Sequence, residues 1–249
     1  MDKVLICMPY FDSGKQGREL EMSLTGWKKF CKFSFKIAII GDRNPIIDKF
    51  DFVEWVPVKR ADPVENQYHP HIDMVNKFKQ AYDIYRNEYE DFLFVCDDYY
   101  PVHYFDEAFI KKYYYLQPNF VGDLSRPNFT WQHDLAKTSR LLKKDGKRTV
   151  NFTTHFPVLF NFDKLKNIFD KYDMYTHSYV IENVYCNYYN VEIAEQADSI
   201  RLGIWNTEDS GKKLDELLNN PNDKRKFIAC STKGFNQTFQ DKLCKYLGI

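Results

Sequence analysis

Asp97 and Asp98 are adjacent carboxylates that close the apolar run Phe92 to Cys96. Like charges at that spacing repel, and one acid keeps its proton unless a cation offsets the repulsion. Mg²⁺ or Mn²⁺ does this well, because it takes one or two carboxylates and completes its shell with water and phosphate oxygens. Such an ion stabilises charge growing on a departing phosphate. A solvated turn or a helix cap is the bland meaning of the same dipeptide. Other residues could handle a proton from an incoming hydroxyl. Glu182, in Ile181-Glu182-Asn183-Val184-Tyr185, lies among aromatic residues that would raise its pKa, though a helix-surface glutamate fits the same pattern. His155 lies in a strand-like stretch, where a hydrogen-bonded core histidine is the alternative to a base or ligand. Asp123 and Asp134 are further candidates. His69 and His71 flank Pro70 at a spacing that can bind metal, although loop pairs of this kind seldom do.

These groups must be positioned by the surrounding elements. Val4 to Met8 reads as a buried strand closed by Pro9, followed by a loop starting at Tyr10. Leu20, Leu24, Trp27 and Phe30 recur at helical spacing over residues 18–30. Phe35 to Ile40, ended by Gly41-Asp42, and Val53 to Val58 read as two more strands. A helix spans about Ile72 to Arg86, and Phe92 to Cys96 is the fourth strand. Runs apolar on both faces imply a mostly parallel sheet flanked by helices. Ligands of such sheets bind beyond the carboxyl ends of the strands, where Tyr10, Asp42 and Asp97-Asp98 fall. Further on, Glu107 to Tyr115 reads as helix, 122–150 as an irregular excursion, Phe152 to Phe160 as strand, and Asp163 to Tyr172 and Ser178 to Tyr189 as helices. Lys212 to Leu218 and Asn236 to Tyr246 close the chain as helices around a strand at Phe227 to Cys230.

Asn76-Lys77-Phe78-Lys79-Gln80-Ala81, followed by Phe92-Leu93-Phe94-Val95-Cys96-Asp97-Asp98, resembles the core motif of GT-A nucleotide-sugar glycosyltransferases. The resemblance implies a GT-A-like, Rossmann-related α/β fold in one domain over 1–249. Residues 1–100 would form the nucleotide-sugar-binding half and residues 101–249 the acceptor half. It implies transfer of a sugar from a nucleotide-sugar donor, a UDP-sugar, to a glycan or other hydroxyl acceptor. Tyr10 would stack near the base, Asp42 would contact base or ribose, and Asn76 and Lys77 would face the donor. Asp97 and Asp98 would hold a divalent metal, Mn²⁺ or Mg²⁺, with Glu182 and His155 as the other catalytic candidates. The sequence departs from a strict Asp-x-Asp, since Cys96-Asp97-Asp98-Tyr99 lacks one acid in either register. A narrower resemblance, to the Stealth sugar-phosphate transferases, rests on Arg18-Glu19-Leu20-Glu21-Met22-Ser23-Leu24, on Phe35 to Asp42 and on Thr154-His155-Phe156-Pro157.

Composition narrows the partners. The formal charge is zero, which disfavours tight non-specific nucleic-acid binding. The local clusters Lys143-Lys144 with Lys147-Arg148, and Lys224-Arg225-Lys226, keep a transferase acting on hydroxymethylated DNA bases as an alternative. Arg126, Lys143 and Lys147 could reach donor phosphates. A non-catalytic nucleotide-sugar-binding module is the remaining reading. No stretch approaches the roughly 18 apolar residues of a membrane span, and no signal-peptide pattern opens the chain, so a cytoplasmic enzyme is expected. The six cysteines include no C-x-x-C pair, so a structural zinc is not expected.

Overall fold

The structure is a computed structural model that describes residues 3–12, 18–61, 69–122, 125, 130–205, 210–220 and 222–249. Asp123 and Arg126 lie outside the described residues. In chain order the elements are β1 (Val4–Tyr10), α1 (Arg18–Phe30), β2 (Phe35–Gly41), a 3-10 turn (Pro45–Lys49), β3 (Val53–Pro57), α2 (Pro70–Tyr85), β4 (Asp91–Phe94) and β5 (Tyr99–Pro101). There follow α3 (Glu107–Ile110), β6 (Tyr113–Tyr115), α4 (Thr130–Lys144), β7 (Val158–Asn161), α5 (Phe162–Lys171), α6 (Ile181–Tyr188), β8 (Ile193–Gln196), a 3-10 turn (Ala197–Ser199), β9 (Arg201–Ile204), α7 (Ser210–Leu218), β10 (Phe227–Cys230) and α8 (Gln237–Leu247).

The main sheet has the order β3-β2-β1-β4-β7. Its first four strands are parallel, and β7 returns antiparallel beside β4. Both faces of β1 are covered. Ile6, Met8 and Tyr10 enter the core under α1, while Leu5 and Cys7 enter the opposite core with Phe78, Phe92, Phe94 and Phe160. A strand buried on both sides reads as a continuous apolar run, which is how β1 and β4 stand out in the sequence. β1 runs through Pro9 to Tyr10 instead of stopping at Met8. Pro9 is tolerated because β4 pairs only with Ile6 and Cys7, leaving one edge of β1 open beyond them.

Strand order reverses between β1 and β4, with β2 on one side and β4 on the other. That reversal opens a crevice at the carboxyl ends of the two strands, the place where open α/β sheets bind ligands. Val95-Cys96-Asp97-Asp98 spans the short gap between β4 and β5, where the chain leaves the main sheet for a second one of order β5-β10-β9. The acid pair is therefore the hinge between two sheets.

Three stretches differ from the sequence reading. Tyr113–Tyr115 is a strand paired with β8, not the end of a helix, because three successive tyrosines favour a pleated surface over a helical one. Residues 130–144 of the expected irregular excursion form α4, whose buried face mixes Leu135 and Leu142 with Asp134, Thr138 and Ser139. That polar content weakened the apolar periodicity. The strand expected from Phe152 forms only at Val158–Asn161.

α1 lies tight against β5. Ser23 Oγ donates to Tyr99 O at 2.9 Å, and a Cβ added at Gly26 would meet Pro101 O at 2.6 Å. Backbone on both sides leaves little room to yield. Gly26→Ala is expected to destabilise the protein by about 1–3 kcal/mol, the usual cost of overpacking. Urea unfolding checks this, and an unchanged midpoint would mean that α1 moves off β5 at no cost.

Candidate active site

The carboxyl ends of β1, β2 and β4 converge on a buried lysine. Lys77, on α2, donates its Nζ to Tyr10 O at 2.9 Å and pairs with Asp73 at 2.8 Å. Gly41 makes this possible. Its φ is 133°, and a Cβ there would stand 2.1 Å from Tyr10 O and 2.9 Å from Lys77 Cε. Only glycine adopts this backbone and leaves this space. Lys77 is thus committed to protein groups and does not project towards a donor. Asn76, its neighbour on α2, is half-buried.

Tyr10 is also placed differently from the sequence expectation. Its ring is 3% exposed in the core under α1, and its hydroxyl accepts a hydrogen bond from Asn44 Nδ2 at 3.1 Å. Burial, partly offset by that bond, pushes its hydroxyl up to about 12. It offers no open face to a base. The exposed ring at this end of β1 is Phe11, 39% exposed, with the Arg60 guanidinium 3.8 Å from its centroid. Asp42 Oδ2 accepts from Asp12 N at 3.0 Å and so holds the loop that carries Phe11.

Asp97 and Asp98 keep some exposed surface, yet Asp98 Oδ1 is buried without a hydrogen-bond partner. Burial raises the Asp97 carboxyl to about 7, the field of Glu19 adds to this, and Lys77 opposes it. Asp98 is raised well above the carboxylate range by burial, then by Asp97 and Glu19. Glu19 sits in the first turn of α1 and was not singled out in the sequence, although an acid in the first turn after β1 is where such a charge would stand.

Glu182 lies in the first turn of α6 and is buried, not on a helix surface. Its Oε2 has no hydrogen-bond partner, and burial raises the carboxyl to about 7. The charges of Asp98 and Glu182 both act on Cys96 and Tyr99, which places the two acids around the same loop. The rest of α6 fastens the neighbouring backbone. Asn183 Oδ1 accepts from Phe152 N at 2.6 Å, and Asn187 bonds both backbone groups of Val150.

His155 has a left-handed backbone, φ 47°, rare for a residue with a side chain and worth about 1–3 kcal/mol of strain. Its ring stands 6.1 Å from Tyr99 and 4.9 Å from Trp205. Burial, then the charge of Arg201, lowers its pKa to about 4, so it is neutral at pH 7. Arg201 is buried too. Its Nε donates to Thr154 O.

The other candidates go elsewhere. Asp134 is buried in α4 and accepts from Ser178 Oγ at 2.6 Å. His71 stacks on Trp131 with centroids 5.4 Å apart. Lys147 lies over the Tyr188 ring, Arg148 bonds the carbonyls of Cys186 and Val191, and Lys143 is exposed. Among the described residues no three His, Cys, Asp or Glu side chains form a metal cage. None of the helices is long and apolar enough to cross a membrane among the described residues.

No known protein family matches the sequence, and no curated protein matches it. In three dimensions the chain is similar to galactosyltransferase LgtC in complex with donor and acceptor sugar analogs. The TM-score is 0.51 and the identity 6%, over 98% of this chain and 95% of that one. An active-site mutant of LgtC matches with a TM-score of 0.51 and 7% identity over the same shares, 98% and 95%. At such identity the likeness is one of fold. This chain has a GT-A-like α/β fold with a mostly parallel sheet flanked by helices. The likeness lends nothing to the Stealth resemblance.

The raised Glu182 pKa sets a sign for stability. The native state holds this proton more tightly than the unfolded chain between the ordinary glutamate value of 4.5 and about 7. Its contribution is full below 4.5 and is lost as pH rises through 7, by roughly 3 kcal/mol. Glu182→Gln removes that dependence. Urea unfolding at pH 5 and pH 8 should show a smaller loss of stability in the variant than in the wild type. Equal losses would mean that Glu182 does not titrate in this range.

Proposed function

We propose that the chain is a glycosyltransferase that moves a hexose from a nucleotide-sugar donor, a UDP-sugar, to a glycan or other hydroxyl acceptor. One observation carries the reading. Asp97 and Asp98 follow β4 at the strand-order reversal, the charge of Glu182 acts on the same Cys96 and Tyr99 as that of Asp98, all three acids have raised pKa values, and Asp98 Oδ1 and Glu182 Oε2 lack partners. Clustered buried acids with unspent oxygens are what a site for a cation and a reacting hydroxyl requires. The GT-A-like fold supports the same reading.

The residues fit a divalent ion. Asp97 and Asp98 would hold Mn²⁺ or Mg²⁺, and when bound the ion would offset charge on the departing diphosphate. Among the described residues no third His, Cys, Asp or Glu groups with them to make a cage, and two carboxylates suit an ion that keeps waters and shares phosphate oxygens. The donor lies over the crevice between β1 and β4. With Tyr10 buried, the base is placed against Phe11, beside Asp42, whose second oxygen is left for base or ribose. Asn76 borders the donor from α2. Lys77 acts from beneath, by fixing the ends of β1 and β2 and by its field on Asp97.

On the acceptor side Glu182 receives the hydroxyl proton. A carboxyl that titrates near 7 is matched to that task at neutral pH. His155, neutral and held in a strained backbone, offers a ring nitrogen to position the hydroxyl.

Donor binding stabilises the native state in proportion to ligand excess over its dissociation constant. UDP and Mn²⁺ together should therefore raise Tm by more than the sum of their separate effects. Asp98→Asn should erase the Mn²⁺-dependent part and cut turnover of UDP-sugars at least about 100-fold, the scale of losing one preorganised charge-stabilising group. A Tm indifferent to every nucleoside diphosphate, with and without Mn²⁺, would sink the reading.

A further inference from the structure

Next to His155 lies a cavity of about 410 Å³, walled by Trp131, Thr153, His155, Asp198, Arg201 and Trp205. It is of the size that seats small ligands. Arg201, Gly203 and Trp205 come from β9 and its end. At alternate positions of a strand they share one face.

Arg201 is a buried cation with little committed. The residue is 3% exposed. Its Nε is spent on Thr154 O. Its Nη2 stands 3.4 Å from Asp198, a side chain 65% exposed and screened by water, and that is long for a charge-assisted bond. Its Nη1 is buried with no partner. Gly203 makes the space around it. A Cβ there would lie 2.7 Å from Arg201 Nη1 and 2.6 Å from Trp205 Nε1, so both N–H groups stand over bare backbone. Trp205 shelters Nη1, with the guanidinium 5.5 Å from its ring, but Trp205 is itself 40% exposed at the strand end.

The cavity is also in register with the acid pair. Ala229 of β10 pairs with Gly203 on one side and with Tyr99 on the other. Gly203 is therefore two strand spacings, about 9–10 Å, from the residue that follows Asp98.

We infer that this cavity seats the acceptor sugar, and that the acceptor carries an anionic group, a carboxylate or a phosphate, which pairs with Arg201 over Gly203 as Trp205 turns outward. The inference rests on the transferase reading for the word acceptor, but not for the anion site. A planar guanidinium with two nitrogens to offer is the side chain best suited to a carboxylate or phosphate. A buried guanidinium N–H left without a partner is costly to keep for any other purpose.

The test uses tryptophan fluorescence of the intact chain, without nucleotide, titrated with methyl glucuronide, glucose 6-phosphate and methyl glucoside. At least one anionic sugar should bind about ten-fold or more tighter than the glucoside, as expected for a hydrogen bond to a charged group. The tighter of the two names the source of the anion. Arg201→Lys keeps the charge but loses the fork, and Gly203→Ala fills the space; each should erase the preference. Equal binding of acid and neutral sugars, or a preference that survives in Arg201→Lys, overturns the inference. A separate transfer assay with UDP-sugars keeps the two failures apart. Transfer without acid preference removes the inference alone. Acid-selective binding without nucleotide binding removes the transferase reading and leaves the anion site standing.

Discussion

The site is governed by negative charge confined where water has largely been removed. Asp97 and Asp98 share one loop, the charge of Glu182 acts on the flanking Cys96 and Tyr99, and the field of Glu19 reaches both aspartates. Leaving such charges unpaired costs several kcal/mol each, so the groups retain protons instead, and their raised pKa values record that compromise. A cation held by Asp97 and Asp98, as proposed, would have to displace protons, which would couple its affinity to pH. Clustered carboxyls of this kind weaken the fold they sit in.

The fold accommodates that repulsion by fixing the surrounding backbone first. Lys77 supplies the opposing field at Asp97, yet its own bonds go to Tyr10 O and Asp73. Its position depends on Gly41, because any side chain there would collide with Tyr10 O and with Lys77 itself. A packing requirement at the ends of two parallel strands and an electrostatic requirement at a third are thus met by one buried ammonium. On the other side, Asn183 and Asn187 bind Phe152 and Val150, so the helix that bears Glu182 is anchored by buried amides along the same face. The acids sit between two hydrogen-bonded supports, Lys77 on one side and the buried amides of α6 on the other.

The alternation of strands and helices through β4 was readable in the sequence because both faces of β1, β2 and β4 are buried, which leaves uninterrupted apolar runs. The acid pair at the end of β4 was readable for the same reason, since a polar break after such a run marks a strand end. α4 was not, because its inward face carries Asp134, Thr138 and Ser139, whose partners are far away in sequence. β9 was hidden similarly. Arg201 and Gly203 look like surface and turn residues until Thr154 O and the neighbouring β10 are in place. Glu182 was noticed by type, but its burial arises from tertiary packing. Tyr10 and Phe11 show the limit of local reading. Strand alternation sends one inward and the next outward, and the strand's true end, past Pro9, decides which is which.

The second sheet explains how distant parts of the chain can form one site. β10 pairs with β5 on one edge and β9 on the other, and Tyr99, Ala229 and Gly203 form a single row across it. β5 begins at the residue after Asp98, so the backbone that ends the acid pair also begins the sheet that carries Arg201 and Trp205. α1 presses on β5 through Ser23 and Gly26 and presents Glu19 from its first turn. Hydrogen-bonded strands hold their spacing far better than loops do. The separation between the acids and the Arg201 cavity is accordingly set by backbone pairing, and side-chain changes in either wall alter what fits there without altering how far it must reach.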